Sequence, residues 1–332
     1  MKAIALLSGG LDSILATRLI IDQGIEVEAV NFVTVFCNCT SGGKTCLAAK
    51  SASDELGIGL KVFEASSDFF EIIKNPKHGY GRNLNPCLDC RIFMFRKAFE
   101  YMKSIGASFI VTGEVLGERP MSQRKQAIDI IEEESGLKGL IVRPLSAKRF
   151  APSIPEIEGW VDREKFMDIE GRSRKPQIKL AHDLGINDYP CPAGGCLLTD
   201  DIFAKRMRDL MKHEPNFGIN DVKLLKTGRV FRFSPTVKLI VGRDEKENDK
   251  LLILAKEGDI YFEPVDIPGP SAVLRGVFDE NYIIKSAALI AKYCGVEPGV
   301  EVKVSYRRIP SGESISISAF PIKEDDLETC RV

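Results

Sequence analysis

A short apolar run, Ala3-Ile4-Ala5-Leu6-Leu7, feeds directly into Ser8-Gly9-Gly10-Leu11-Asp12-Ser13, and this junction constrains the chain more than any other stretch. The run reads as a buried strand, while Ile14, Leu15, Leu19 and Ile20 keep helical spacing after the loop. A strand, a glycine-rich turn and a helix start together form an anion site. Glycines let backbone N–H groups approach phosphate oxygens closely, and the helix dipole favours negative charge at that end. Ser8 and Ser13 add hydroxyl donors, whereas Asp12 repels phosphate unless it binds Mg2+ or caps the helix. The loop has neither the Gly-Lys-Ser/Thr of a Walker loop nor a dinucleotide fingerprint. A ligand-free turn is the bland alternative, but such turns rarely carry two hydroxyls, two glycines and an acid together.

The segments that follow alternate in type. Val27 to Phe32, Leu60 to Phe63, Phe109 to Thr112 and Leu140 to Val142 read as strands. Between them lie helical patterns, among them Ala48 to Leu56 and the stretch holding Phe93, Phe95, Phe99 and Met102. This alternation predicts an α/β fold with a doubly wound parallel sheet. Ligands of such sheets bind at the carboxyl ends of strands, which places Ser8 to Ser13, Phe32 and Thr112-Gly113-Glu114 on one rim. Prolines and acids from Ala151 to Gly171 predict an irregular connection, and helices are expected at Pro176–Leu184 and Asp201–His213. Beyond Pro215 the strands Val237–Val241, Ile260–Phe262, Val302–Tyr306 and Ser314–Ser318 predict a separate, smaller α+β domain. The expected boundaries are 1–170 for the loop-bearing domain, 171–215 for a helical, cysteine-bearing connection and 216–332 for the last domain.

With 332 residues, 28% of them charged and 44% hydrophobic, the chain has the composition of a soluble globular protein. No apolar run has the length of a membrane span and no signal peptide is evident, so a cytoplasmic location is expected, with no membrane partner. Net charge is −1, so binding to nucleic acid must come from local patches. Candidates are Arg172, Arg174, Lys175 and Lys179, then Lys205, Arg206, Arg208 and Lys212, and finally Lys303, Arg307 and Arg308, each with a solvated helix or strand face as its plain alternative.

Nine cysteines is a high count for a cytosolic chain, where clustered thiols point to metal binding or catalysis rather than disulfides. Asn85-Pro86-Cys87-Leu88-Asp89-Cys90 precedes an amphipathic helix. A helix start lowers a thiol pKa, and Arg91 is expected to lower it further. Cys-x-x-Cys chelates soft metals, and one more thiol from the loop between Cys191 and Cys196 would make three. Three thiolates on a 4Fe–4S cluster leave one iron open for sulfide. Zinc with a fourth cysteine and metal-free catalytic thiols remain alternatives. Cys37, Cys39, Cys46, Cys191, Cys294 and Cys330 are read as dispensable.

Ser8 to Ser13 resembles the pyrophosphate loop of the PP-loop ATP pyrophosphatases, which adenylate a carbonyl or carboxyl oxygen. Asn85-Pro86, Cys90, Phe95, Lys97, Thr112-Gly113-Glu114 and Gly194-Gly195-Cys196 resemble the tRNA thiouridylases of the MnmA type, with Glu114 where that family has His and Ser122-Gln123 as a loose match. Cys87, where that family has Asp, brings the set closer to the TtuA-type thiolases and their cluster-bound cysteines. The resemblance implies that Ser8, Gly9, Gly10, Asp12, Ser13, Phe32 and Gly113 bind ATP with Mg2+. It likewise implies that Cys87, Cys90 and Cys196 hold a 4Fe–4S cluster and that Asp12, Cys90 and Cys196 are catalytic. Gly242-Arg243, Glu247-Asn248-Asp249 and Asp266-Ile267-Pro268-Gly269 resemble the NFACT-R RNA-binding module, with Arg243 and Arg275 expected on phosphates. The expected function is ATP-dependent thiolation of a tRNA uridine, with sulfur arriving as sulfide or from a donor protein; a homodimer is allowed. The alternatives are a PP-loop ligase of another substrate and a non-catalytic, nucleotide-sensing RNA-binding protein.

Overall fold

The computed structural model describes residues 1–37, 44–189, 196–297 and 299–332, with side chains of 44–46 left out. The chain divides into two compact units, Met1–Thr199 and Asp200–Val332. The stretch expected to be a connection, 171–215, divides at that point, its first helix in one unit and its second in the other.

The first unit runs β1 (Lys2–Leu6), α1 (Leu11–Ile21), β2 (Glu26–Val33), α2 (Lys44–Glu55), β3 (Leu60–Glu64), α3 (Ser66–Lys74), α4 (Cys87–Ser104), β4 (Phe109–Thr112), α5 (Lys125–Ser135), β5 (Ile141–Val142), α6 (Ile154–Ile157) and α7 (Lys175–Asp183). The five strands are parallel, in the order β3-β2-β1-β4-β5. Period-two alternation sends Ala3 and Ala5 to one face, where they pack with Leu11, Ile14 and Leu15 of α1 and Ala181 of α7. Ile4 and Val30 go to the other face, against Ile92, Phe95 and Ala98 of α4. Helices on both faces bury both sides of the sheet, which is why its strands read as apolar runs. β2 lies on one side of β1 and β4 on the other, so the topology reverses between β1 and β4. Their carboxyl ends are therefore the switch point where such sheets bind ligands.

The second unit runs α8 (Asp201–His213), α9 (Ile219–Leu225), β6 (Arg229–Ser234), β7 (Val237–Val241), α10 (Glu245–Leu254), β8 (Ile260–Pro264), β9 (Ala272–Gly276), α11 (Glu280–Lys292), β10 (Val302–Arg308), β11 (Ile315–Ala319) and α12 (Glu324–Glu328). Its sheet is antiparallel, in the order β11-β10-β8-β9-β7-β6. Ala287, Leu289 and Ile290 of α11 pack on one face with Leu239, Phe262 and Leu274. Ion pairs hold α8 and its end to the strands: Asp209 to Arg232 at 2.6 Å and Glu214 to the buried Lys238 at 2.6 Å. Cys294 and Cys330 each point a thiol at a backbone carbonyl of the preceding helical turn, as ordinary packing residues do. Among the described residues no helix is long and apolar enough to cross a membrane.

Arg275 departs from expectation. Its side chain is nearly buried, paired to Asp259 at 2.6 Å and Asp221 at 2.7 Å, with further bonds to Asn220 and the Leu254 carbonyl. Every nitrogen is committed, so it locks α9 to β9 instead of contacting RNA.

Candidate active site

The loop after β1 is shaped by its own hydroxyls. Ser13 Oγ donates to the Gly10 carbonyl at 2.8 Å and accepts the Ser8 N–H at 3.2 Å, while Ser8 Oγ accepts the Gly10 N–H at 3.3 Å. Gly9 has φ +77°, and a Cβ there would lie 2.5 Å from the Ala48 carbonyl carbon of α2, so only glycine fits. With the loop closed this way, the N–H groups of Gly9 and Leu11 donate to no protein acceptor among the described residues. Unused N–H groups at the start of an 11-residue helix are an anion site in waiting.

Gly113 follows β4 and meets α1 at close quarters: a Cβ there would lie 2.5 Å from the carbonyl of Asp12. Two of the segments expected on one rim, the Ser8–Ser13 loop and Gly113, therefore touch at the switch point.

Around Asp12 gathers a set of charges that sequence reasoning only partly found. Burial raises the Asp12 carboxyl above its usual range, against the pull of Arg174 and Arg119. Arg174, just before α7, holds its guanidinium 3.6 Å from Asp12 Oδ2. Asp12 Oδ1, Arg174 Nε and both amide atoms of the wholly buried Gln177 find no hydrogen-bond partner. Each such atom costs about 1–3 kcal/mol when left unpaired. A polar ligand seated here could satisfy all four. Gln123, matched loosely in sequence, accepts the Arg119 N–H at 3.0 Å and so fixes the turn that presents Arg119. Arg174 was visible only as one member of a basic stretch, and Gln177 carried no signal.

Phe32 stands at the end of β2, but its ring stacks on Phe63 at 5.4 Å and lines a cavity of about 350 Å3 on the α4 face. No side-chain contact ties that ring to the loop among the described residues. Phe95 is a fully buried core residue, and Lys97 pairs with Asp68 at 3.5 Å.

Cys87 and Cys90 occupy the first turn of α4, so the motif lies inside the helix rather than before it. Cys196 is brought to the same neighbourhood from a distant segment: its thiol faces the Phe36 carbonyl at 3.9 Å, and Leu197 N–H donates to that carbonyl at 3.2 Å. The expected lowering of the Cys90 pKa is not found. Burial raises it strongly, the neighbouring thiols of Cys196, Cys87 and Cys37 add to the rise, and Arg91 does not compensate. Burial likewise pushes Cys196 up to about 11. The helix start loses here because the thiolate would face other thiols instead of water. Cys37, read as a bystander, is thus a fourth thiol of the group, and the Thr34 N–H donates to its sulfur at 3.3 Å. Cys39, Cys191, Gly194 and Gly195 lie outside the described residues, as does the side chain of Cys46.

A thiolate-only donor set has the chemistry for an iron–sulfur cluster. The thiols are nevertheless neighbours, not converged ligands: among the described residues no group of three or more His, Cys, Asp or Glu side chains is arranged to hold a metal ion.

Glu114 links the two halves of the site. It is 1% exposed and pairs with Arg143 at 3.1 Å and with Arg91 at 3.4 Å. Arg91 follows Cys90 in α4, and Glu114 follows Gly113, which abuts Asp12. Two contacts thus connect the Ser8–Ser13 loop to the helix that carries Cys87 and Cys90.

Two family models match the two units separately. Residues 1–149 match the family model described as Thiamine biosynthesis protein (ThiI), and residues 228–331 match that described as NFACT protein RNA binding domain. A probable tRNA sulfurtransferase of Methanosarcina mazei is 32% identical over 123 residues, 35% of this chain and 29% of that protein. The tRNA-specific 2-thiouridylase MnmA of Marinobacter nauticus is 22% identical over 296 residues, 81% of this chain and 73% of that protein. A 4-thiouridine synthetase–RNA complex with bound ATP superposes with TM-score 0.35 and 22% identity, covering 56% of this chain and 51% of that one. The chain spans less than a third of the Methanosarcina relative's length. Both resemblances read in the sequence, PP-loop thiolase and NFACT-R module, are borne out by these matches.

Proposed function

We propose that this chain, a ThiI-like PP-loop unit joined to an NFACT-R-like unit, thiolates a uridine of tRNA at the expense of ATP. The observation that supports this reading is the run of contacts Asp12–Gly113–Glu114–Arg91, which ties the Ser8–Ser13 loop to the helix start that carries Cys90. The sulfurtransferase and thiouridylase relatives support the same substrate class.

In this mechanism the N–H groups of Gly9 and Leu11 and the dipole of α1 receive the departing phosphates. Arg174 and Arg119 balance their charge. The unpartnered Oδ1 of Asp12 fits a Mg2+ ion, which would screen the pyrophosphate. A uridine carbonyl oxygen attacks the α-phosphorus and pyrophosphate leaves; sulfur then attacks the activated ring carbon, and AMP departs with the oxygen. Cys87, Cys90 and Cys196 are the residues that would hold a 4Fe–4S cluster, whose open iron would supply a seat for sulfide. Loading it requires these thiols to give up their protons, as bound metal enforces. Sulfide, or a donor protein, is the sulfur source, and the second unit holds the tRNA.

The test is anaerobic incubation of the purified chain with ATP, sulfide and tRNA, followed by AMP assay and nucleoside mass spectrometry. tRNA-dependent AMP with thiouridine is expected. AMP without tRNA would favour a ligase of another substrate, and RNA binding without AMP a nucleotide-sensing binder.

A further inference from the structure

We propose that the cavity between the start of α10 and the Pro268–Pro270 segment of the second unit binds one nucleotide of an unpaired RNA strand through its phosphodiester. The inference rests on the reading of this unit as the RNA-holding part and locates the contact. The sequence stretches that resemble the RNA-binding module, 242–249 and 266–269, are separated in the chain, yet both contribute to one cavity of about 420 Å3, large enough for a single nucleotide.

Its shape depends on two glycines. A Cβ on Gly242 would lie 2.1 Å from Asn248 Oδ1, and one on Gly269 would lie 2.6 Å from the Cys294 thiol. Asn248 Oδ1 accepts the Ser271 N–H at 3.0 Å, so the amide is held with its NH2 group uncommitted. Arg229 lies over the Tyr293 ring at 4.4 Å and gives Nη1 to the Gly242 carbonyl at 3.1 Å; its Nε and Nη2 donate to no protein group among the described residues. The Tyr293 hydroxyl accepts from Arg331 at 3.0 Å, so the ring orients Arg229 and is not itself free to stack on a base. Arg243, half exposed, is held through Nε and Nη2 by Glu247, and its Nη1 remains open. Three lining side chains thus carry donors with no acceptor, a demand that a phosphate–ribose unit meets.

Charge narrows the ligand further. Asp244 and Glu245 line the same cavity as the two arginines, so the lining is close to neutral. A triphosphate would be repelled by those acids; a singly charged phosphodiester would not. The proline wall offers an apolar surface to a sugar or base edge. An unpaired strand can splay a single nucleotide into such a pocket, whereas a duplex cannot.

The test uses the full chain, a fluorescein-labelled single-stranded RNA pentamer, an RNA duplex of equal phosphate count, and unmodified tRNA. Arg243→Ala should weaken pentamer binding about tenfold and lower the salt slope by about one, leaving duplex binding unchanged. Arg243→Lys should restore part of the loss. Amide resonances of Gly242 and Gly269 should shift when pentamer is added. Equal pentamer affinity in a folded Arg243→Ala protein, with tRNA still bound through the second unit, would overturn the cavity alone. Failure of the wild-type chain to bind any of the three RNAs would overturn the RNA-holding reading as well.

Discussion

Arg174 Nη2 stands 3.6 Å from Asp12 Oδ2, an ion pair without a hydrogen bond, in a site where four nearby polar atoms have no partner. The pair brings the segment before α7 to the first turn of α1, residues 162 positions apart in the chain. Its looseness is what a phosphate ligand would use, since Arg174 can turn to the anion without breaking a well-made bond.

Asp12→Ala should abolish tRNA-dependent AMP formation while leaving the unfolding midpoint close to wild type, because one carboxyl oxygen has no hydrogen-bond partner and the ion pair to Arg174 is loose. Arg174→Met should raise the KM for ATP by about tenfold or more through loss of a charge-assisted contact. Initial-rate assays at varied ATP check both; unchanged AMP release by folded Asp12→Ala would remove the loop from the mechanism.

Gly113→Ala forces a methyl group against the Asp12 carbonyl. Backbone cannot yield as a flexible side chain does, so the loop and β4 must separate. A loss of about 1–3 kcal/mol in stability is expected, with ATP binding weakened more than that loss alone explains. Denaturant titration and calorimetry measure the two effects.

Cys87→Ala, Cys90→Ala and Cys196→Ala should each lose iron, acid-labile sulfide and thiolation together. In metal-free protein Cys196, with its pKa pushed up to about 11, should alkylate at least a hundredfold more slowly at pH 8 than an ordinary exposed thiol. Iodoacetamide labelling read by mass spectrometry tests this. Full iron content in Cys196→Ala would show that another thiol, with Cys37 the neighbour at hand, is the third ligand.

The second unit should fail in acid through Asp221. Burial opposes its charge, but the Gly218 N–H together with Lys238, Lys256 and Arg275 outweighs burial and lowers the carboxyl below 3.8. A depressed carboxyl stabilises the fold above its unfolded pKa, and that contribution is lost as pH falls through the folded value. Unfolding midpoints should therefore hold down to about pH 4 and drop steeply below it. Asp221→Asn should flatten that drop.

Glu214→Ala leaves Lys238, 1% exposed, without its carboxylate. Stripping one partner from a buried pair costs about 3–5 kcal/mol. Thermal melts should show that loss, and Lys238→Met in the same background should recover much of it.

The loop and the sheet were legible because local rules carry them. Ala3 to Leu7 could only be a buried strand, Gly9 and Gly10 only a tight turn, and Asp201–His213 was recovered to the residue. The closeness of Cys87 to Cys90 was legible for the same reason, since three-residue spacing in a helix sets it.

What tertiary structure decided was which distant groups share one dielectric environment. The sequence places Arg91 beside Cys90 and so argues for a lowered pKa; folding buries the thiol among Cys37, Cys87 and Cys196, and desolvation reverses the sign. Arg275 looks like a phosphate contact until Asp221 and Asp259 close on it. Arg174 and Gln177 look like an ordinary helix start until α7 packs on α1 and sets them against Asp12. Burial and through-space charge depend on neighbours far along the chain, and no local pattern encodes them.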